Sequence, residues 1–188
     1  MQKNFQIQTT YSQESLRAVA KMTYDLYLPH VSGRMYLLAM ILIVIGVVGI
    51  VMMRPIFAVT VVVGGYMFLR AEGAPRTVAE RMAAYYDGKF PTLKFDFREN
   101  EIFVVAPKES GSMQYEGFVR LAEDKKYLFL FNADQSAYSI PRANFAAGEE
   151  NEFKAFLADK TGLTFEHGAT IVKKILAAHN HALRKKKK

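Results

Sequence analysis

The most constraining feature of this sequence is a long apolar block that a single charged residue divides in two. Between Met35 and Leu69 the only charged side chain is Arg54, which stands next to Pro55. The run before Arg54 has 19 residues and would span about 28 Å as a helix, close to the ~30 Å hydrocarbon core of a bilayer. The run after it has 15 residues and would reach about 22 Å, so Arg70 must extend the crossing by reaching the headgroups.

Two short crossings explain this block better than one long helix. A single helix would carry a proline and a charge near its middle, and an arginine at the bilayer centre costs roughly 2.5–3.5 kcal/mol. The alternative is a buried helical hairpin in a soluble protein, which the absence of a polar face disfavours. We therefore predict a transmembrane hairpin over residues 35–70. Its small residues are predicted to be helix-packing positions in the membrane: Gly46, Gly49, Gly64 and Gly65.

The positive charge is concentrated at the end of the chain. The formal net charge is +7, and residues 167–188 contain seven basic side chains and no acid. Residues 71–166 hold 12 basic and 16 acidic side chains, a balance that argues against nucleic acid as a partner. Lysine and arginine flank the hairpin on both sides, whereas its turn has Arg54 alone. The positive-inside rule then predicts that both termini face the cytoplasm.

Residues 1–34 are predicted to form an N-terminal strand and an amphipathic helix. Residues 5–9 alternate apolar and polar side chains, and Ser12 is a suitable N-cap for a helix that ends before Pro29. The apolar stripe of this helix could lie on the membrane surface, pack on the soluble domain or extend the first crossing. Ser32 and Gly33 suggest a break before that crossing.

Residues 71–166 have the pattern of a small α+β domain. A helix is expected over residues 77–86, followed by a meander of about five antiparallel strands at 93–97, 102–105, 113–121, 127–131 and 136–140. Acidic residues then begin a helix that ends before Gly162. This helix would cap a twisted sheet or partial barrel.

The order of these elements and several short segments resemble the YcxB-like family. The likeness rests on residues 95–97 with Ile102, on the turn and strand at 123–131, on the run Tyr138–Phe145, and on Glu150, Glu152, Phe153 and Leu157. It extends over about residues 3–162. The resemblance implies a bacterial inner-membrane protein with a cytoplasmic domain like a pleckstrin-homology (PH) barrel. It implies no reaction and no catalytic residues.

The residues give little support for catalysis or metal binding. The chain has no cysteine and four histidines, namely His30, His167, His179 and His181. None of them combines convincingly with a nucleophile and an orienting group to form a catalytic site. As a metal site, the pair His179 and His181 lacks further ligands nearby. We expect no enzyme activity, no cofactor and no metal site.

The segment 167–188 is predicted to be a basic amphipathic tail. Ile171, Val172, Ile175, Leu176 and Leu183 share one helical face. The residues expected to contact anionic lipid at the membrane surface are Lys173, Lys174, Arg184, Lys185, Lys186, Lys187 and Lys188. A solvated, partly disordered tail and a helix that fills a partner's groove are the alternatives.

Taken together, the sequence favours a membrane protein that presents a cytoplasmic binding or scaffold domain to a protein, peptide or lipid headgroup. The expected partners are the lipid bilayer, an unidentified protein and a second copy of the chain in a homo-oligomer. Two other functions remain open, a membrane immunity or toxin-neutralising protein and an accessory subunit of a membrane enzyme or transporter.

Overall fold

The chain folds into strands and helices that make it an α+β protein, as predicted. A computed structural model describes residues 4–107 and 109–186, with the backbone alone at residues 185 and 186. The strands within them are β1 Phe5–Thr10, β2 Thr92–Phe97, β3 Ile102–Val105, β4 Ser110–Met113, β5 Phe118–Glu123, β6 Tyr127–Asn132, β7 Ala137–Pro141 and β8 Phe165–His167. The helices are α1 Gln13–Tyr27, α2 Pro29–Val51, α3 Ala58–Arg70, α4 Gly73–Tyr85, α5 Glu149–Thr161 and α6 Ile171–Lys186.

The described chain divides into two compact units. The sheet unit comprises the residues up to Val19 together with Ala79–Gly168, and the helical unit comprises Ala20–Val78 together with the residues from Ala169 onward. The divisions fall inside α1 and α4. They differ from the boundaries expected after residues 34, 70 and 166, because those boundaries follow changes in composition whereas the units follow packing.

The sheet unit contains two four-stranded sheets, in the orders β1-β2-β3-β4 and β7-β6-β5-β8. All neighbouring strands are antiparallel except β8, which pairs in parallel with β5. The predicted meander of about five antiparallel strands is therefore incomplete. It lacks β1, which pairs with β2 in the register Phe5↔Phe97, and it lacks β4 and β8.

Alternating side chains of the paired strands form the core of the sheet unit. Every second residue of β1 and β2 is buried, as the period-two pattern requires. Phe153 of α5 packs on both strands, with its ring 5.2 Å from that of Phe5 and 4.8 Å from that of Phe97. α5 thus caps the core, and it ends at Gly162, whose φ of 66° suits glycine.

The helical unit is built around α2, which packs against α3 and against α6. The break suggested by Ser32 and Gly33 does not form, because α2 begins with Pro29 in its first turn and continues through both residues, which are buried. α1 begins with reciprocal hydrogen bonds between the backbone amides and hydroxyls of Ser12 and Ser15. The stripe of α1 is buried in the protein, at Leu16, Val19, Ala20 and Met22.

Candidate functional site

The outer surfaces of α2 and α3 are apolar and exposed. The most apolar 18 residues of α2 have a mean hydropathy of 2.5, and 22% of that stretch is buried. Among the described residues, α2 is the one helix long and apolar enough to cross a membrane. Pro55–Arg70 and Gly73–Tyr85, bent by 41°, pass the same test only as one span. Large side chains remain exposed on both sides of the turn, including Val51, Ile56 and Leu69.

Glycines bring α2 and α3 into close contact. A Cβ added at Gly46 would lie 2.4 Å from Val61 Cγ2, and one at Gly64 would lie 2.8 Å from Ile43 Cγ1. One at Gly49 would meet the ring of Phe57. Gly46 and Gly64 therefore lie at the α2–α3 contact, and Gly49 lies against the turn that leads into α3. That these glycines pack helices within a membrane stays a prediction. Gly65 differs, since an added Cβ there meets nothing within 4 Å.

A buried ion cluster holds α6 in the helical unit. Lys174 Nζ lies 2.7 Å from Asp25 Oδ1 of α1 and 2.8 Å from Glu72 Oε1, which lies between α3 and α4. The side chain of Lys174 is 3% exposed and that of Asp25 is 8% exposed. Lys21 also lies near Glu72, with 3.8 Å between Nζ and Oε2. One ammonium thus joins three segments that are distant in the sequence.

Burial and pairing act in opposite directions on these groups. Burial raises the pKa of Asp25, although the hydrogen bond from Lys174 opposes the rise. Burial also disfavours the charged forms of Glu72 and Lys174, but their mutual hydrogen bond and charge interaction outweigh it. The pKa of Glu72 is therefore lowered and that of Lys174 is raised. Lys174 stays charged across the physiological range.

The backbones of α2 and α6 approach closely at Gly33. A Cβ at Gly33 would lie 1.9 Å from the carbonyl oxygen of Lys174, so only glycine fits this contact. Further along, the ring of His181 stacks on that of His30 at 4.2 Å, and its Nδ1 lies 2.6 Å from Arg34 Nη2. Two of the four histidines thus serve helix packing. Within the part of the chain that the structure describes, no group of three or more potential metal-ligating side chains occurs.

The basic residues predicted to contact the membrane do not share one environment. Lys173 and Arg184 are exposed on α6. Lys174 points into the protein because Asp25 and Glu72 bind its ammonium, so it does not take the surface position predicted for it. Lys187 and Lys188 lie outside the described residues, as do the side chains of Lys185 and Lys186.

A second ion cluster lies in the sheet unit around Glu123 at the end of β5. Glu123 Oε2 accepts hydrogen bonds from Arg142 and, at 2.6 Å, from Lys154 of α5. His167 of β8 lies 3.7 Å from the other carboxylate oxygen, and Arg142 also pairs with Glu150 at 3.0 Å. Burial alone would raise the pKa of Glu123, but the three basic neighbours lower it. This cluster ties α5 and β8 to the sheet.

The segment that holds β3–β7 and most of α5 matches the model of a known family. Residues 97–157 match the family model described as YcxB-like protein. The match confirms the resemblance for this segment, which contains Glu123, Arg142 and Lys154. No curated protein and no solved structure matches the chain.

Two open grooves lie beside the YcxB-like segment. The larger, of about 480 Å³, is lined by residues of β1, β2 and β3, including Gln8, Lys94 and Asp96. The smaller, of about 270 Å³, is lined by residues of β2–β4 and by Tyr138 of β7.

The residues that hold α6 are the ones that sequence reasoning missed. Asp25 and Glu72 gave no signal, because each is a single acid and no motif or spacing links it to Lys174. Gly33 was interpreted as a helix break, although its position two residues before the apolar run also suits a close helix contact. Lys174 gave no hint either, because it directly follows Lys173 and lies away from the apolar stripe of the tail helix.

Proposed function

We propose that this chain is an integral protein of the bacterial inner membrane, anchored by α2 and α3 as a transmembrane hairpin with both termini in the cytoplasm. The sheet unit serves as a PH-like binding or scaffold domain that carries out no catalysis. Its ligand is a protein, a peptide or a lipid headgroup.

The observation that carries this proposal is the exposed apolar surface of α2 and α3. Soluble proteins rarely leave contiguous apolar patches beyond a few hundred Å² open to water. Here large aliphatic side chains line both helices, and Val51, Ile56 and Leu69 are each more than 70% exposed. A core helix of a soluble protein would instead be mostly buried. Lipid is the medium that accommodates such a surface without a partner protein.

The lengths of the two helices fit a hairpin. α2 has 23 residues and extends about 34 Å, which exceeds the ~30 Å hydrocarbon core. Pro55–Arg70 extends about 24 Å, so its crossing needs local thinning of the bilayer or the reach of Arg70. The guanidinium of Arg70 lies over the ring of Tyr66, a pair suited to the headgroup region.

The architecture of the sheet unit supports a binding role. Two four-stranded sheets capped by α5 resemble the PH arrangement that the sequence implies, and residues 97–157 of this unit match the YcxB-like family model. The buried carboxylate of Glu123 in this unit pairs with Arg142 and Lys154, and so it has a structural explanation that requires no reaction.

Cysteine labelling tests the topology directly, since the chain has no native cysteine. Met53, in the turn between α2 and α3, and Ala133, in the turn between β6 and β7, are both exposed and are replaced singly by cysteine. In spheroplasts, a membrane-impermeant maleimide should label Met53→Cys, whereas Ala133→Cys should react only after lysis. Equal labelling of both variants before lysis, or extraction of the protein by alkaline carbonate, would contradict the proposal.

A further inference from the structure

The contact between α6 and α2 fixes which face of α6 points outward. α6 docks through Lys174, Ala178 and His181, which lie on one side of the helix and are bound by Asp25, Glu72, Gly33 and His30. The face of α6 that docks on α2 therefore consists of polar or small side chains. An amphipathic helix that packs on a protein core instead buries its apolar face.

The outward face of α6 carries an apolar stripe. Val172, Leu176 and Leu183 are 70%, 60% and 47% exposed. At about 100° per residue they lie about 160–200° around the helix from Lys174. The helix thus binds the rest of the helical unit through a lysine and presents its aliphatic side chains outward. Such side chains are stabilised by contact with an apolar surface or with lipid and not with water.

We propose that α6 is a membrane-surface helix whose stripe of Val172, Leu176 and Leu183 inserts into an anionic lipid leaflet at the base of the hairpin. This inference rests on the proposed function, because it requires α2 to cross the bilayer. In this proposal α6 is not a free tail, because the ion cluster of Lys174, Asp25 and Glu72 already orients the helix.

The position of α6 favours lipid as the occupant. α6 contacts α2 through His30, Gly33 and Arg34. These residues immediately precede Met35, where the apolar run begins. The helix is therefore held beside the point at which α2 would enter the bilayer.

Charge distinguishes a lipid surface from a second copy of the chain. Lys173 and Arg184 are exposed beside the stripe, and residues 167–188 contain seven basic side chains and no acid. Two such helices facing one another would repel, whereas an anionic leaflet attracts them. A long basic amphipathic helix with an aliphatic face is the usual form of an interfacial segment.

Single-cysteine variants of the full chain test the inference. The variants Leu176→Cys and Val172→Cys are each labelled with an environment-sensitive fluorophore. The labelled proteins are then reconstituted in vesicles of phosphatidylglycerol and phosphatidylcholine. Val48→Cys on α2 is the standard for a bilayer position, and Ala133→Cys is the standard for an aqueous one. Both stripe labels should be quenched several-fold more by lipid-borne quenchers than the Ala133→Cys label. The difference should shrink in vesicles of phosphatidylcholine alone and at high salt.

The outcomes separate the inference from the proposed function. Quenching of the Val48→Cys label together with fully aqueous stripe labels would overturn the inference and leave the hairpin intact. Stripe labels shielded from both lipid-borne and aqueous quenchers would also overturn it, in favour of a second copy over the stripe. A Val48→Cys label that lipid-borne quenchers do not reach would overturn the hairpin itself.

Discussion

Replacing Lys174 with methionine tests whether buried charge holds α6 in place. Methionine keeps most of the length of the side chain but removes the ammonium that contacts Asp25 and Glu72 at 2.7 and 2.8 Å. Asp25, with 8% of its side chain exposed, would then be buried without the ammonium that pairs with it. Removing one member of a buried pair costs about 3–5 kcal/mol. Because Glu72 is 35% exposed and keeps Lys21 nearby, we expect the lower end, about 3 kcal/mol.

Amide hydrogen exchange of the full chain in lipid nanodiscs measures this loss at α6. If α6 opens as a unit, about 3 kcal/mol corresponds to roughly hundredfold faster exchange of its amides, at 1.4 kcal/mol per factor of ten. Lys173→Met is the matched control, because Lys173 is the exposed neighbour on the same helix. It should change the exchange by no more than about twofold.

A double variant identifies the cause of the loss. Asp25→Asn combined with Lys174→Met removes the carboxylate that would be left alone, so most of the protection of α6 should return. If Lys174→Met exchanges like the native chain, or if the double variant is as labile as the single one, then packing and not buried charge holds the helix.

Three further predictions follow from particular contacts. Gly64→Leu should lower the melting temperature in detergent, at a cost of about 1–3 kcal/mol, because a Cβ at this position would lie 2.8 Å from Ile43. Gly65→Leu is the control, because an added Cβ there meets nothing within 4 Å and the melting temperature should not fall. Equal melting temperatures of the two variants would contradict this packing. Gly33→Val should speed amide exchange in α6, since a Cβ there lies 1.9 Å from a backbone oxygen of that helix, and unchanged exchange would argue against the close approach. The pKa of Glu123 is lowered on folding, so the stabilisation by its carboxylate is present above its ordinary pKa of 4.5 and is lost as pH falls through the lower folded value. Glu123→Gln should therefore have a lower melting temperature at pH 7 and a melting temperature that falls less steeply on acidification. A native-like fall on acidification would refute this.

The elements that depend on local pattern could be predicted from the sequence. The alternating side chains of β2 and the acidic first turn of α5 each predicted the element that forms, and the predicted ends lie within a few residues of the observed ones. Gly46 and Gly64 lie at the α2–α3 contact because small residues within two adjacent helices allow close approach. These signals lie within single helices or strands, or in neighbouring ones.

The elements and pairings that were missed depend on distant partners. The strand β1 was predicted, but its pairing with β2 across about 80 residues was not. β8, with three residues, was missed, and it is a strand only because β5 lies beside it. β4 has the sequence Ser-Gly-Ser-Met, which carries no alternating pattern and forms a strand through its pairing with β3. Such pairing is determined by the whole sheet and not by local propensity.

Hydropathy and charge along the chain determined the apolar hairpin, the basic end of the chain and the α+β composition, since each is a property of consecutive residues. The tertiary structure alone decided the orientation of α6. The wheel of that helix places Lys174 among solvent-facing positions, yet two acids from remote segments bind its ammonium and turn the aliphatic stripe outward. A buried charge requires a partner, and only the folded chain brings that partner within reach.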